Sequence, residues 1–399
     1  MEYSILMTIN EGVHCTAIGV FDGIGDYINL LRAADKPVSI QTVDSTVGLY
    51  DAYHSGEHPQ DGLVFRRTKV EDVEVDRLPV EESTGLYSGV PEELAQYHFD
   101  IINRNLPRYT PEGNVELDFH TRVWTCSINE PSRNIGDIEY LAKYTLAIGK
   151  LMLAADVKYL AYGWSTGTPE PEFWEHPITL EYLRLCEANP SMLGVSIHEY
   201  SLDKNDISVG YPNLIGRVAN LLRTCVEHNI SYPYIHIGEF GWEERHIDVR
   251  GDEANRQLTW ADTVYKDLGI NPNRCLWTLG NWHNSTDEVV RDVIELLPLV
   301  TERCVNAVDE PTIPQPTIPK IVILKLPQEG GEEVWLRASS YAFNDYKRTI
   351  TASSDDMLTM LSGGNTESYA IVVNPEEESQ LEAVELLITN QFNFETMEL

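Results

Sequence analysis

The sequence predicts an α/β fold: a (β/α)8 TIM barrel over residues 1–308, a proline-rich linker over 309–319 and a small α/β module over 320–399. Three observations carry this. Eight short apolar, β-branched runs alternate with amphipathic stretches as far as about residue 306, and parallel strands joined by helical crossovers produce that alternation. The open doubly wound alternative normally carries a glycine-rich phosphate turn after its first strand. The nearest match, "GVFDGIGD" at 19–26, has the wrong spacing. Finally, "PTIPQPTIPK" at 311–320 breaks the alternation with a doubled Pro-Thr-Ile-Pro, which as polyproline II spans about 30 Å.

The predicted strands are, in order, "GVHC" (12–15), "VSIQTV" (38–43), "LVFRRT" (63–68), "RVWTCSI" (122–128), "KYLAYGW" (158–164), "LGVSIHEY" (193–200), "YIHIGEF" (234–240) and "CLWTLGNW" (275–282). They lack strict polar alternation because both faces of a barrel strand are buried. Between them, "GDYINLLRAADK", "DIEYLAKYTLAIGKLMLAAD", "IGRVANLLRTCVEHN" and "EANRQLTWADTVYKDLG" repeat apolar residues at helical spacing, and "TDEVVRDVIELLPLVTERCVN" closes the barrel. The connection between the second and third strands is the least helical. Beyond the linker, "KIVILKL", "RTITAS" and "YAIVVNP" read as strands and "ESQLEAVELLITNQF" as a terminal helix. "SGGN" at 362–365 suits a helix C-cap better than a phosphate loop.

Composition narrows the partners. A formal net charge of −34 repels phosphate backbones and anionic headgroups, so nucleic acid and membrane surfaces are excluded as partners and neutral, hydroxyl-rich ligands are compatible. Eight Trp and twenty Tyr leave aromatics over for binding surfaces. Cys15, Cys126, Cys186, Cys225, Cys275 and Cys304 are scattered without a CxxC pair or nearby His at ligand spacing, so they read as structural thiols, with no metal and no cofactor expected. The start "MEYSILMTINEG" lacks the basic region and apolar core of a signal peptide, and no apolar run is long enough to span a bilayer. The expectation is a cytoplasmic protein, or one released by a non-Sec route such as lysis or a virion.

Chemistry in a barrel of this kind comes from the C-terminal lips of the strands. At the fourth lip, "VWTCSI" runs straight into Asn129-Glu130-Pro131, and the proline forbids further strand. At the seventh, "YIHI" runs into Gly238-Glu239-Phe240-Gly241-Trp242. Closure of the barrel points Glu130 and Glu239 into one mouth. Two facing carboxylates, one protonated and one ionised, are the minimum apparatus for glycoside hydrolysis. Either motif alone is also what a solvated strand end looks like. Their occurrence on two lips of one inferred barrel is the stronger signal. His14 at the first lip and Trp164 at the fifth are candidate substrate contacts, and Trp282 and His283 could line a subsite. His236, three residues before Glu239, falls on the opposite strand face by period-two counting and is expected to pack against helices.

At these residues the chain resembles the clan A glycoside hydrolases, most nearly the cellulase-like family 5. "INEP" is similar to that family's acid/base motif and "IGEFG" to its nucleophile motif. "HEY" is similar to its His-x-Tyr, placing His198 and Tyr200 on one strand face and Glu199 on the other. The resemblance implies that Tyr200 hydrogen-bonds the nucleophile, that Asn129 holds the sugar 2-hydroxyl, and that Trp277 is the platform under the reacting sugar. Placement on the fourth and seventh strands predicts carboxyl groups about 5 Å apart, the retaining separation. The chain departs from the family at the second strand, which ends "QTVDST" without the usual arginine, while Arg66 and Arg67 stand at the third. Either is available for the anchoring task.

The implied function is a retaining β-glycosidase acting on an oligo- or polysaccharide. Two alternatives stand beside it: a catalytically weak carbohydrate-binding scaffold, and a virion- or lysis-associated component whose C-terminal module serves assembly.

Overall fold

The computed structural model of the chain describes residues 10–16, 21–108, 116–126, 128–243, 247–279 and 288–307, together with four strands beyond them. Residues divide into two compact units, Met1–Pro311 and Thr312–Leu399. The predicted linker lies outside the described residues.

In the first unit eight parallel strands close into a barrel: Glu11–Cys15, Ser39–Val43, Gly62–Arg66, Val123–Cys126, Tyr159–Trp164, Leu193–Tyr200, Tyr234–Gly241 and Asn273–Leu279. Each pairs with its sequence neighbours, and the first pairs with the eighth. All eight predicted strands form, within two or three residues of their expected ends. A helix follows every strand: Ile24–Ala33, Leu49–His54, Pro91–Arg104, Ile138–Ala154, Pro177–Ala188, Ala219–Glu227, Gly251–Asp267 and Glu288–Asn306. The one after the second strand has only six residues, which is why that stretch carries the weakest helical periodicity. The third connection holds an unpredicted antiparallel ribbon, Lys69–Val70 with Val73–Glu74, on the way to its helix.

Outward-facing side chains such as Val13, Ile40, Leu63 and Val195 pack under the helices in one continuous core. Inside the barrel, Val64, Trp124, Cys126 and Leu160 form an apolar layer, with Tyr234 against it. All six cysteines are buried and free.

Two β-bulges control which side chains reach the interior. In the fifth strand Tyr162 pairs with Ser196 and Trp164 with Ile197, so Gly163 is extra, and both Tyr162 and Gly163 take positive φ, +79° and +69°. In the seventh, Ile237 pairs with Ile197 and Glu239 with His198, so Gly238 is extra. An inserted residue reverses the inside–outside alternation beyond it. The expected position of His236 is corrected accordingly. Its Nε2 lies 2.9 Å from Gln41 Oε1, and the second and seventh strands are not neighbours, so this contact crosses the barrel interior. A Cβ at residue 238 would come within 2.6 Å of the same Gln41 oxygen, so a larger residue there has to displace the Gln41 side chain.

The second unit is a four-stranded parallel sheet in the order Arg348–Thr351, Val322–Lys325, Tyr369–Val373, Phe394–Met397. The first three are the predicted strands. The fourth was not expected, and the predicted terminal helix lies outside the described residues.

Candidate active site

Glu130 is held by its backbone. Beyond the fourth strand, the Asn129 amide donates to the Asp76 carbonyl at 2.9 Å and the Glu130 amide to the Gly163 carbonyl at 2.8 Å. Glu130 itself has φ +47°, a region that non-glycine residues enter at a cost and that clusters at functional sites. Gly163 thus serves the fifth-strand bulge and the Glu130 lip together, and a Cβ on it would sit 2.7 Å from the Ile128 carbonyl oxygen. Gly163→Ala is therefore expected to destabilise the barrel by about 1–3 kcal/mol and to lower any activity more than the stability loss explains. Urea unfolding alongside turnover of the folded fraction checks this, and a variant as stable and active as the parent would contradict it.

Glu239 reaches the interior through the bulge at Gly238 and is 5% exposed. Arg66, at the end of the third strand, donates from one Nη1 to Glu239 Oε1 at 3.3 Å and to the Asn129 side-chain oxygen. His198 Nδ1 stands 3.4 Å from both Glu130 Oε1 and Glu239 Oε2. Tyr200 donates to Glu130 Oε1 at 3.2 Å. One potential ligand atom each from Glu130, His198 and Glu239 lies within 4.8 Å of the others. Two carboxylates and an imidazole are donors that a divalent cation accepts, but the Arg66 guanidinium already occupies Glu239 and opposes a second positive charge there.

The electrostatics of the two carboxyls differ. Burial pushes Glu239 up, His198 and Arg66 pull it down, and the Glu130 charge pushes it up again, leaving it above the usual carboxylate range. Burial also pushes Glu130 up, but hydrogen bonds from His198, Ser165 and Tyr200 outweigh it and hold that carboxyl at about 2. Burial and the Glu130 charge push the Tyr200 hydroxyl up, so it stays a donor. For His14, burial and then Arg66 push the imidazole well below its ordinary range and keep it neutral.

The mouth gathers Glu130, Glu239, Asn129, His198, Tyr200, Arg66 and His14. His14 is fully buried, with Nε2 3.9 Å from Glu239 Oε1, and its ring lies 4.6 Å from that of half-buried Trp277. Trp277 therefore stands at the mouth and not among the outer helices. Two expectations are corrected. Tyr200 hydrogen-bonds Glu130, not Glu239. Trp164, 1% exposed, packs against Tyr162 and against Phe173 at 4.6 Å, because the bulge turns it outward under the helix Pro171–Glu175. Trp282 and His283 lie outside the described residues.

Ser165 and Asp76 were missed. Ser165 immediately follows the fifth strand, where the lip rule applied one residue further would have found it. Asp76 sits in the third connection, which no strand pattern announces; burial pushes its carboxyl up to about 6 against the pull of Arg66.

Glu199 does face away from the mouth, as expected. It accepts from the Gly216 and Val218 amides at 2.7 and 2.6 Å and from the Tyr265 hydroxyl at 2.7 Å, tying the sixth strand to the following helix. Burial outweighs these bonds and pushes the carboxyl up to about 7. A carboxyl raised on folding gives stability that is full below its unfolded value near 4.5 and is lost as pH rises through 7. Glu199→Gln removes that dependence. The difference in Tm, variant minus parent, is expected to grow more positive from pH 5 to pH 8, and a difference constant with pH would contradict this.

No helix among the described residues is long and apolar enough to cross a membrane. No family model and no curated protein matches the sequence. Among solved structures, one of a protein from Xanthomonas campestris described as a "putative dehydrogenase" aligns over 70% of this chain and 100% of its own at 11% identity. Its TM-score of 0.17 carries no argument about fold or function.

Proposed function

We propose that the first unit is a retaining β-glycosidase of the clan A kind, most similar to family 5 in its motifs, acting on an oligo- or polysaccharide. The observation that carries this is the approach of Glu130 and Glu239, within 4.8 Å, from the fourth and seventh lips of a closed barrel. Carboxyls that close leave room for direct attack but not for an intervening water, which needs about 6.5–9.5 Å.

In the first step a Glu239 oxygen attacks the anomeric carbon while the bond to the leaving oxygen breaks and Glu130 gives that oxygen its proton. In the second, water attacks the same carbon, gives a proton to Glu130 and frees Glu239, and the two inversions restore the β configuration. Arg66 fixes the Glu239 oxygen, taking the task that an arginine at the second strand performs in the resembling family. Trp277 offers an apolar wall to the C–H face of a pyranose.

Between the two carboxyls the proton favours Glu239 over Glu130, the reverse of the working order. A sugar filling the mouth removes water from Glu130, whose side chain is 38% exposed, and this raises its carboxyl towards the protonated form the first step needs.

A panel of aryl β-glycosides tests the proposal. Turnover of at least one, with the β-anomer formed first, is expected. Saturable binding without turnover would leave the weak carbohydrate-binding scaffold as the better reading.

A further inference from the structure

We propose that the floor of the barrel, opposite the catalytic mouth, is a second binding site that takes phosphate, free or as the terminal group of a phosphorylated sugar. A cavity of about 380 Å³ opens at the ends from which the strands start, within the size range of small-ligand sites. Asn10, Arg122, Trp124, Lys158 and Tyr234 are among its walls. Trp124 and Tyr234 stack face to face at 4.4 Å and, with Val64, Cys126 and Leu160, form an apolar layer between this cavity and the two glutamates.

Two cations stand on the walls, one without an ion pair among the described residues and one that shares its carboxylate with another arginine. Lys158, 9% exposed, lies 4.2 Å over the Trp124 ring and donates to the Ser191 carbonyl at 2.7 Å; it makes no ion pair among the described residues. Burial pushes this ammonium down to about 8, with the charge of Asp118 pulling the other way. Arg122 donates to the carbonyls of Tyr53 and Gly56, and its buried Nε has no partner. The nearest carboxylate, Asp61 at 3.7 Å, is already held by two hydrogen bonds from Arg32, both 2.8 Å, and by the Val38 and His58 amides. Glu57 belongs to the exposed rim. Asn10 is 5% exposed with its Oδ1 unpartnered, an acceptor suited to a P–OH.

A desolvated ammonium without a counter-charge, beside an arginine that shares its carboxylate, favours an anion, and a phosphate carrying one hydroxyl, its own or the sugar's, matches two donors and one acceptor. A neutral sugar would leave the Lys158 charge uncompensated.

The test is calorimetric titration of the full chain with inorganic phosphate and, separately, glucose 6-phosphate, at ionic strength held constant with chloride. One saturable site is expected, with proton uptake between pH 7 and 9 as Lys158 becomes fully charged. Lys158→Met and Arg122→Gln should each weaken it at least tenfold, and the exposed Lys150→Gln should not. Tighter binding of the sugar phosphate identifies the ester as the ligand, and equal binding identifies the free ion. The absence of saturable binding to the parent protein overturns the proposal whatever the variants do, as does unchanged affinity in either floor variant.

Discussion

Glu239→Ala is expected to abolish hydrolysis of every substrate, by at least about 10⁴-fold in kcat, because no covalent intermediate can form without it. Glu130→Ala is expected to fall unevenly. Substrates with good leaving groups need no protonation, so they still form the intermediate, which then breaks down slowly. Azide should rescue this variant and give the β-glycosyl azide, since a small anion needs no general base. With Glu239→Ala, azide enters from the vacated face and should give the α-glycosyl azide. The stereochemistry matters here because the site holds Glu130 at about 2 and Glu239 above the usual range. If that resting order persisted through catalysis, the two azide products would appear with their anomers exchanged. Wild-type turnover by both variants would make the pair structural.

The largest stability effect is expected at the barrel seam. Glu11, at the start of the first strand and 1% exposed, accepts from Arg274 of the eighth strand at 3.0 Å and from Arg303 of the last helix at 3.1 Å. Asp262 binds the same two arginines from the neighbouring helix. Burial pushes the Glu11 carboxyl above the usual carboxylate range, although both arginines pull it down. Glu11→Ala leaves two buried guanidiniums sharing one carboxylate. Removing one partner of a buried pair costs about 3–5 kcal/mol, and urea unfolding should show a loss of that size. A loss below about 1 kcal/mol would show that the seam is held by packing alone.

Much of this architecture was legible in the chain. Barrel strands buried on both faces appear as unbroken apolar runs, and helical crossovers appear as amphipathic ones, so the fold class and all eight strands could be read directly. The glutamates were legible because the lip rule needs only a strand end and a residue type. The facing of individual side chains was not. Counting in twos cannot detect an inserted residue, and the bulges at Gly163 and Gly238 therefore misplaced both Trp164 and His236. The partner of Tyr200 was also beyond reach, since two carboxylates within 4.8 Å compete for one hydroxyl and only the folded geometry decides between them. Arg66 is legible through the missing arginine at the second strand, and its contact with Glu239 bears on the same anchoring role.

The most direct measurement is peptide mapping after exposure to the 2-deoxy-2-fluoro analogue, with an activated leaving group, of whichever glycoside the panel shows to be cleaved. The fluorine slows both steps and the leaving group restores the first, so a retaining enzyme accumulates its intermediate. A single glycosyl adduct on Glu239 is expected, in equal proportion to activity lost. An adduct on Glu130, or cleavage with inversion and no adduct, would contradict it.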